Sequence, residues 1–296
     1  MNAAQLEYDR FGPWISEISP LDPVPPLFTP YPTRPESPLL NIKIPRDIDR
    51  RDARPGMPLY DYLVTLYETD MVILARDEAG VTAETIAYSD IRSLSYSEEL
   101  LQGALILGLD GRAYNLRFST VSKDIIRRLI DLVRARYLDG TPITAVHHDA
   151  PAPTGQLSFL FTSLLAKERR ARQLLAAQAD TPIGREETNL LRRLAATAGD
   201  KRLLESLHFS DGREPKILRR GRPYKYLWQK VYALDTLYLP LHHVHRVQWH
   251  TDQGNTAVIH LTLQTDAGPH TYSLTRDNPA LQTYRAYLAA LSRIML

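Results

Sequence analysis

An alternation of apolar and polar residues between positions 59 and 140 is the clearest pattern in the chain, and it predicts β-strands. The predicted strands are 63–67, 71–76, 81–88, 91–96, 104–109 and 113–118. Turn residues separate them, including an Asp110–Gly111 pair that is typical of a tight hairpin. Apolar residues then recur at helical spacing, so an amphipathic helix is predicted over 124–137, with Ser122 as its N-cap.

The same succession of elements returns between residues 212 and 296, which indicates an internal duplication. Similar residues recur 153 positions apart without a gap from residue 63 to 96, and the spacing then grows to 157 or 158. The second copy is also predicted to end in a helix, over 279–291. The matched pairs include Val64–Ile217, Ile73–Tyr226, Leu74–Leu227, Ile86–Leu239, Tyr88–Leu241, Ile91–Val244, Leu94–Val247, Tyr96–Trp249, Gly111–Gly268, Tyr114–Tyr272 and Leu116–Leu274.

The remaining segments have a different texture. Residues 11–58 hold 12 of the 21 prolines, which excludes a long helix or a central strand and predicts an extended arm. The arm also carries large apolar residues such as Trp14 and Phe28, so we expect it to pack on the chain's own modules rather than on a partner. Residues 157–208 have a helical pattern. One helix is expected to run through Leu174 and Leu175, a second to begin at Thr181–Pro182, and a short third to start at Asp200.

These patterns predict four segments. They are a proline-rich N-terminal arm (1–58), a first module (59–140), a loop and helical connector (141–211) and a second module (212–296).

Each module carries a distinctive run before its last three elements. It is Tyr-Ser-Asp-Ile-Arg-Ser-Leu-Ser-Tyr at 88–96 and Leu-His-His-Val-His-Arg-Val-Gln-Trp at 241–249. Together with the hairpin before it and the strands and helix after it, this run resembles the bacterial pleckstrin-homology-like (PH-like) domains. The resemblance implies an α+β fold of two modules, each an antiparallel β-barrel or sandwich closed by a C-terminal helix.

The resemblance also implies a ligand position, because lipid-binding members hold phosphoinositides with basic residues around the first hairpin loop. In the second module this region contains the candidate anion- or partner-binding residues Lys216, Arg219, Arg220, Arg222 and Lys225. Guanidinium groups suit phosphate oxygens because their donors lie in a planar fork. The corresponding loop of the first module is acidic, so only the second module can hold an anion. The other interpretation is a basic hairpin tip that is simply solvated.

Charge is distributed unevenly along the chain. The net charge of +2 divides into −1 for residues 1–58, −4 for 59–140, +1 for 141–211 and +6 for 212–296. This asymmetry is compatible with an anionic partner or with attraction between the two halves.

Several kinds of chemistry are not predicted. The chain has no cysteine, which excludes disulfides and thiol catalysis, and it has no apolar run of about 18 residues that would span a membrane. The first residues lack the apolar core of a secretory signal, so the cytoplasm is expected, or a peripheral position at the inner membrane face. No phosphate loop, nucleophile elbow or zincin motif occurs, so neither an enzyme nor a cofactor is predicted. His243 and His245 are the metal-ligand candidates, but no carboxylate has a suitable spacing and no metal site is predicted.

The leading hypothesis is therefore an adaptor or scaffold that binds another protein through tandem modules. The first alternative is binding to an anionic membrane through the basic loop of the second module. The second alternative is nucleic-acid binding by a winged-helix-like segment at 182–230, in which Arg219, Arg220 and Arg222 would contact phosphates. This alternative is ranked last because the repeat already accounts for the same hairpin. No small-molecule substrate is predicted.

Overall fold

The chain divides into two compact units, Met1–Asp139 and Gly140–Leu296. The structure, a computed structural model, describes residues 3–32, 34–143, 150–151, 153, 155–183, 202–221 and 233–294. The division falls next to the predicted end of the first module at residue 140. Each unit is described below by itself.

The described residues of unit 1 form two α-helices and eight strands. They are α1 (Ala3–Arg10), β1 (Ser16–Glu17), β2 (Leu40–Pro45), β3 (Tyr60–Leu66), β4 (Asp70–Arg76), β5 (Val81–Ala87), β6 (Ser93–Glu99), β7 (Gln102–Leu109), β8 (Arg112–Ser119) and α2 (Lys123–Tyr137). The first five strands form an antiparallel sheet in sequence order, and β6, β7 and β8 form an antiparallel meander. A 3₁₀ turn, Tyr88–Asp90, joins the two groups of strands.

The strand pattern of unit 1 agrees closely with the sequence prediction. Apolar residues of alternating positions, such as Leu105 and Leu107, point into the core, as a half-buried strand requires. The helix prediction is confirmed within one residue, and α2 buries the face that contains Ile126, Leu129 and Val133. Ser122 is the N-cap residue, as predicted, but its hydroxyl makes no capping hydrogen bond and instead accepts the Ile15 amide at 2.9 Å.

The proline-rich arm is part of unit 1. Its strand β2 pairs with β3, with Ile42 opposite Val64, and both side chains are fully buried. Phe11 and Phe28 are also buried, in a cluster with Leu59 and Tyr60. Residues 1–58 therefore belong to the same compact unit as 59–139, because their apolar side chains complete its core.

Unit 2 contains two helices and nine strands among its described residues. They are α3 (Phe159–Glu168), β9 (Gln173–Gln178), β10 (Thr181–Pro182), β11 (Arg202–Leu203), β12 (Ser206–Ser210), β13 (Pro215–Arg220), β14 (Leu234–Tyr238), β15 (Arg246–Thr251), β16 (Val258–Thr265), β17 (Gly268–Thr275) and α4 (Leu281–Ile294). Antiparallel pairing joins β9, β12, β13 and β14 in that order, and it joins β15, β16 and β17. The short strands β10 and β11 also pair. Tyr284, Tyr287 and Leu288 of α4 are buried in the core of this unit.

The prediction of a helical connector is only partly correct. Helix α3 ends at Glu168, and the predicted continuation through Leu174 and Leu175 is wrong, since these residues lie in β9. Thr181–Pro182 forms β10 rather than a helix start, and the predicted third helix is replaced by β11 and β12. Leucine and alanine favour helices in isolation, but β9 is almost completely buried in the sheet, and this packing outweighs the propensity. The remaining part of the second predicted helix lies outside the described residues.

Apart from the first helix of each unit and the short strands β1, β10 and β11, both units have the same order of elements: four antiparallel strands, a 3₁₀ turn, three antiparallel strands and a helix. The predicted alignment of the first strands of the two copies, at a spacing of 153 residues without a gap, is nevertheless wrong. The tight hairpin of β3 and β4 pairs Leu66 with Met71, and that of β12 and β13 pairs Ser210 with Pro215. Position 217 therefore corresponds to 73, and not to 64.

The shift arises between β13 and β14. Four residues, 77–80, separate β4 from β5, whereas thirteen, 221–233, separate β13 from β14. These nine extra residues restore the spacing of 153, so the pair Ile86–Leu239 is correct: Ile86 lies opposite Met71, and Leu239 donates its amide to Pro215. Tyr226 and Leu227, which were matched to β4, lie outside the described residues.

The last two strands are related by a spacing of 156. The hairpin turns are Asp110–Gly111 in unit 1 and residues 266–267 in unit 2. Buried Leu116 and Phe118 therefore correspond to buried Tyr272 and Leu274. The predicted pairs Tyr114–Tyr272 and Leu116–Leu274 are displaced by two residues, a shift that keeps the same face of the strand and so preserves the apolar pattern.

The fold is thus α+β, with mostly antiparallel sheets and few helices. The sheets do not close into a barrel within the described residues, so the barrel form of the prediction is wrong. Of the helices that the structure describes, none has the length and apolar character needed to cross a membrane.

Candidate functional site

Lys216, the first residue of the predicted basic cluster, is buried inside unit 2. Its Nζ lies 2.7 Å from Oε1 of Glu168, the last residue of α3, and 5.2 Å from the centre of the Tyr238 ring. The other oxygen of Glu168 accepts a bond of 3.0 Å from Arg172. Because a buried carboxylate needs compensating cations, Lys216 and Arg172 hold the end of α3 against strand β13.

Arg220 lies on the same face of β13 and is also bound internally. Its guanidinium contacts Glu205 at 2.6 Å and the Ser158 hydroxyl at 3.0 Å, and it lies 5.4 Å from the Phe161 ring. Glu205 is almost completely buried and also accepts a hydrogen bond from the Ser158 amide. This network fixes the beginning of α3, so Arg220 serves the structure of the unit.

Arg219 points to the opposite face of β13, since neighbouring residues of a strand alternate. It is half exposed and lies 3.2 Å from Asp235 on β14. Arg222 and Lys225 lie outside the described residues. Of the five predicted residues, the structure thus describes three, and it does not bring these three together on one surface.

Arg219 and Asp235 do border an open groove of about 430 Å³ in unit 2. Arg202, Ser206, Thr271 and Ser273 line the same groove. Burial and, to a smaller extent, the nearby charge of Arg219 lower the pKa of the His270 imidazole. The groove is a polar concavity of the size that small ligands occupy.

Ser273, which lines this groove, is the last member of a chain of three hydrogen-bonded polar side chains. His260 on β16 lies opposite Ser273 on β17, and its Nδ1 is 2.8 Å from the Ser273 hydroxyl. Its Nε2 is 3.0 Å from Oδ2 of Asp252, which directly follows β15. The three residues are far apart in sequence and carry no motif, so only the strand register places them together.

A second polar network lies in the core of unit 2. The His208 ring contacts the Ser206 hydroxyl and the Tyr284 hydroxyl, each at 3.1 Å. His208 is completely buried, and burial lowers its pKa to about 3. The imidazole is therefore neutral in the folded chain at ordinary pH, and both of its nitrogens are satisfied.

The two metal-ligand candidates, His243 and His245, each lie next to a different side chain. His243 is in the 3₁₀ turn Leu241–His243, where its ring lies 4.1 Å from that of His242. His245 Nδ1 lies 3.6 Å from Asp266. Within the part of the chain that the structure describes, no three histidine, aspartate or glutamate side chains are arranged to hold a metal ion.

Unit 1 exposes a set of large apolar side chains, among which only Trp14 was named from the sequence, as a residue expected to pack on the chain's own modules. Trp14, Leu100, Leu101 and Val121, named here the Trp14 patch, are exposed by 51%, 65%, 70% and 72%. Trp14 and Val121 line a mostly apolar hollow of about 340 Å³ together with Ile125. The carbonyls of Leu100 and Leu101 accept hydrogen bonds from Thr120, so the turn lies next to the residue that precedes Val121. Exposed apolar surfaces of this kind are typical of interaction sites.

Leu100 and Leu101 form the two-residue turn between β6 and β7, where Glu99 pairs with Gln102. Leu100 has φ of 49°, and it is the only residue other than glycine with a positive φ in the described chain. Hairpins of this length favour glycine or asparagine at such a position, because a Cβ atom crowds the backbone there. Two leucines in a two-residue turn were the sequence signal that could have identified this surface.

Comparison with known proteins adds no family. Neither the scan against protein-family models nor the search of curated proteins finds a match to the chain.

Proposed function

We propose that the chain is an adaptor or scaffold protein of the cytoplasm, built from two PH-like modules, and that it binds a partner protein through the Trp14 patch of unit 1. The shared order of four strands, three strands and a closing helix supports the PH-like part of the proposal. Fold alone does not define a function, so the binding part depends on the surface itself.

The Trp14 patch is the observation that carries the proposal. Exposing four large apolar side chains costs free energy in water, and Leu100 adds backbone strain. Neither cost is needed for folding, because asparagine or glycine would form the same turn. A partner that covers the patch recovers the apolar free energy, and tryptophan is a common anchor in such interfaces.

Charge indicates the chemistry of the partner. Residues 1–139 contain 21 acidic and 16 basic residues, a net charge of −5. Asp124 lines the hollow beside Trp14, and its highly exposed carboxylate lies 3.6 Å from Arg127, while Glu99 directly precedes Leu100. We therefore expect a partner segment with aliphatic or aromatic anchors flanked by lysine or arginine.

Site-specific photocrosslinking in the native host tests this proposal. A photoreactive phenylalanine analogue in place of Leu101 is expected to yield a discrete protein adduct, and the same analogue at exposed Glu78 is not. Trp14→Ser should abolish the adduct at position 101. Leu21→Ser is the matched control, because Leu21 is also an exposed apolar residue of unit 1 but does not line the hollow. An adduct that persists in Trp14→Ser, or forms equally at Glu78, contradicts the proposal.

The two alternatives from the sequence receive less support. Lys216 and Arg220 contact Glu168 and Glu205, so their charges are already balanced before any anionic headgroup approaches. The winged-helix interpretation needs helices before the hairpin, whereas residues 202–203 and 206–210 are strands. Neither alternative is proposed here.

A further inference from the structure

The chain of hydrogen bonds from Asp252 through His260 to Ser273 is not explained by partner binding. All three side chains lie on the outer face of the sheet formed by β15, β16 and β17, while Leu261, Tyr272 and Leu274 point into the core. A nucleophile, a base and an acidic group that orients the base, each within hydrogen-bond distance of the next, form the arrangement that activates a serine hydroxyl.

Asp252 is held so that it orients the imidazole. Its Oδ1 accepts the backbone amides of Gly254 and Asn255 at 2.8 and 2.7 Å, which leaves Oδ2 for His260. The hydrogen bond with His260 lowers the pKa of the Asp252 carboxyl, so the group is ionised and acts only as an acceptor.

The ionised carboxylate fixes the tautomer of His260. Because Asp252 can only accept, Nε2 carries a proton, and in the neutral imidazole the lone pair of Nδ1 faces the Ser273 hydroxyl at 2.8 Å. The two ring nitrogens have the opposite roles to those in the chymotrypsin arrangement, but either nitrogen of a neutral imidazole accepts a proton once the other carries one.

Ser273 is accessible from the groove described above. The groove of about 430 Å³ lies within the size range of small-molecule sites, and both Ser273 and Arg219 line it. Arg219 is half exposed, lies 3.2 Å from Asp235 and lines the same groove as Ser273.

From this geometry we propose that Ser273 is a nucleophile toward small carboxylic esters, with His260 as its general base and Asp252 as a positioning residue. The Ser273 oxygen forms a bond to the ester carbonyl carbon as its proton passes to Nδ1 of His260. The bond from carbon to the leaving alkoxide breaks, and His260 returns the proton to that oxygen, which releases an alcohol. Water then adds to the acyl-serine through the same base, releasing a carboxylic acid and restoring Ser273.

A fluorophosphonate probe tests the nucleophile on the full-length protein, because the serine oxygen displaces fluoride to form a stable phosphonate ester. We expect the native chain to be labelled at Ser273, identified by mass spectrometry of the digested adduct. Ser273→Ala and His260→Gln should lower the labelling rate roughly a hundredfold or more. Ser163→Ala is the matched control, since it removes an exposed hydroxyl of α3 in the same unit.

Asp252 has its own control pair. Asp252→Asn should slow labelling because an amide can present a donor to Nε2 and favour the wrong tautomer, whereas Asp252→Glu should retain most of the rate. Thermal unfolding of every variant shows whether the fold is kept. Labelling of Ser273→Ala at the native rate, labelling of the native chain no faster than that of heat-unfolded chain, or equal rates for all Asp252 variants would overturn the proposal.

Discussion

Replacing Leu100 distinguishes the effect of this residue on the stability of unit 1 from its effect on partner binding. Leu100 occupies the left-handed region at φ of 49° in the two-residue turn between β6 and β7. Leu100→Asn retains a side chain but places a residue there that tolerates this conformation. Leu101→Asn makes the same chemical change at the next position, which has no positive φ, and is therefore the matched control.

The expected difference between the two variants follows from the backbone. An ordinary side chain in the left-handed region costs about 1–2 kcal/mol, of which asparagine recovers roughly half or more. Leu100 and Leu101 are exposed by 65% and 70%, so both substitutions lose a similar, small amount of apolar contact. Leu100→Asn should therefore leave unit 1 more stable than Leu101→Asn by about 1 kcal/mol, or roughly 3 °C in the unfolding midpoint.

Urea unfolding followed by tryptophan fluorescence and circular dichroism measures this difference for each purified variant. With the photoreactive residue in place of Val121, another exposed member of the patch, both variants are expected to lose most of the adduct, because each removes an apolar anchor. Leu100→Asn is then expected to be the more stable of the two variants and still to lose partner binding. Equal stabilities of the two variants would show that the turn is not strained, and a native crosslink yield in both would show that the leucines do not contact a partner.

Three further outcomes are expected in unit 2. Glu168→Ala leaves the buried Lys216 charge without its carboxylate and should lower the free energy of unfolding by about 3 kcal/mol. Asp235→Ala removes an exposed ion pair and should lower it by less than about 1 kcal/mol in the same urea titration. The folded-state pKa of His208 is about 3, below its ordinary value of 6.5. The stabilising contribution of neutral His208 is therefore fully present above pH 6.5 and is lost as the pH falls toward 3. Between pH 7 and 5 the native chain should lose about 2 kcal/mol more than His208→Gln does, and parallel curves would contradict this. In co-sedimentation with vesicles of phosphatidylglycerol and phosphatidylcholine, Arg219→Ala should pellet like the native chain, because the native Arg219 already faces Asp235, and a clear loss would restore the membrane alternative.

The strands and closing helices were predictable because their signals are local. In β7 the buried residues Leu105 and Leu107 alternate with outward-facing ones, and α2 repeats its apolar residues every three or four positions. The order of elements in the second copy could be inferred for the same reason. Its register could not, because nine extra residues between β13 and β14 shift every earlier pair while apolar residues still coincide.

The elements and contacts that were predicted wrongly depend on residues that are far away in the sequence. Leu174 and Leu175 have helical propensity, and only pairing with β12 makes them strand residues. Lys216 looked like a free phosphate ligand because its partner, Glu168, lies 48 residues earlier in the chain. The groove and the alignment of His260 with Ser273 likewise follow from strand register, which the sequence does not reveal without a structure.

The Trp14 patch could have been recognised in part from the sequence. A two-residue hairpin loop made of Leu100 and Leu101 contradicts the usual turn chemistry, and such local conflicts tend to mark functional positions. The contribution of Trp14 could not be inferred, because its position in the hollow beside Val121 depends on how the N-terminal arm packs within unit 1.

The adaptor proposal is tested most directly by comparing crosslinks from two surfaces in the same cells. One copy of the protein carries the photoreactive residue in place of Leu101, and the other carries it in place of Arg219, which is half exposed on the described part of the basic hairpin. We expect a discrete protein adduct from position 101 that disappears with Trp14→Ser, and none from position 219. A protein or lipid adduct at position 219 with none at position 101 would contradict the account.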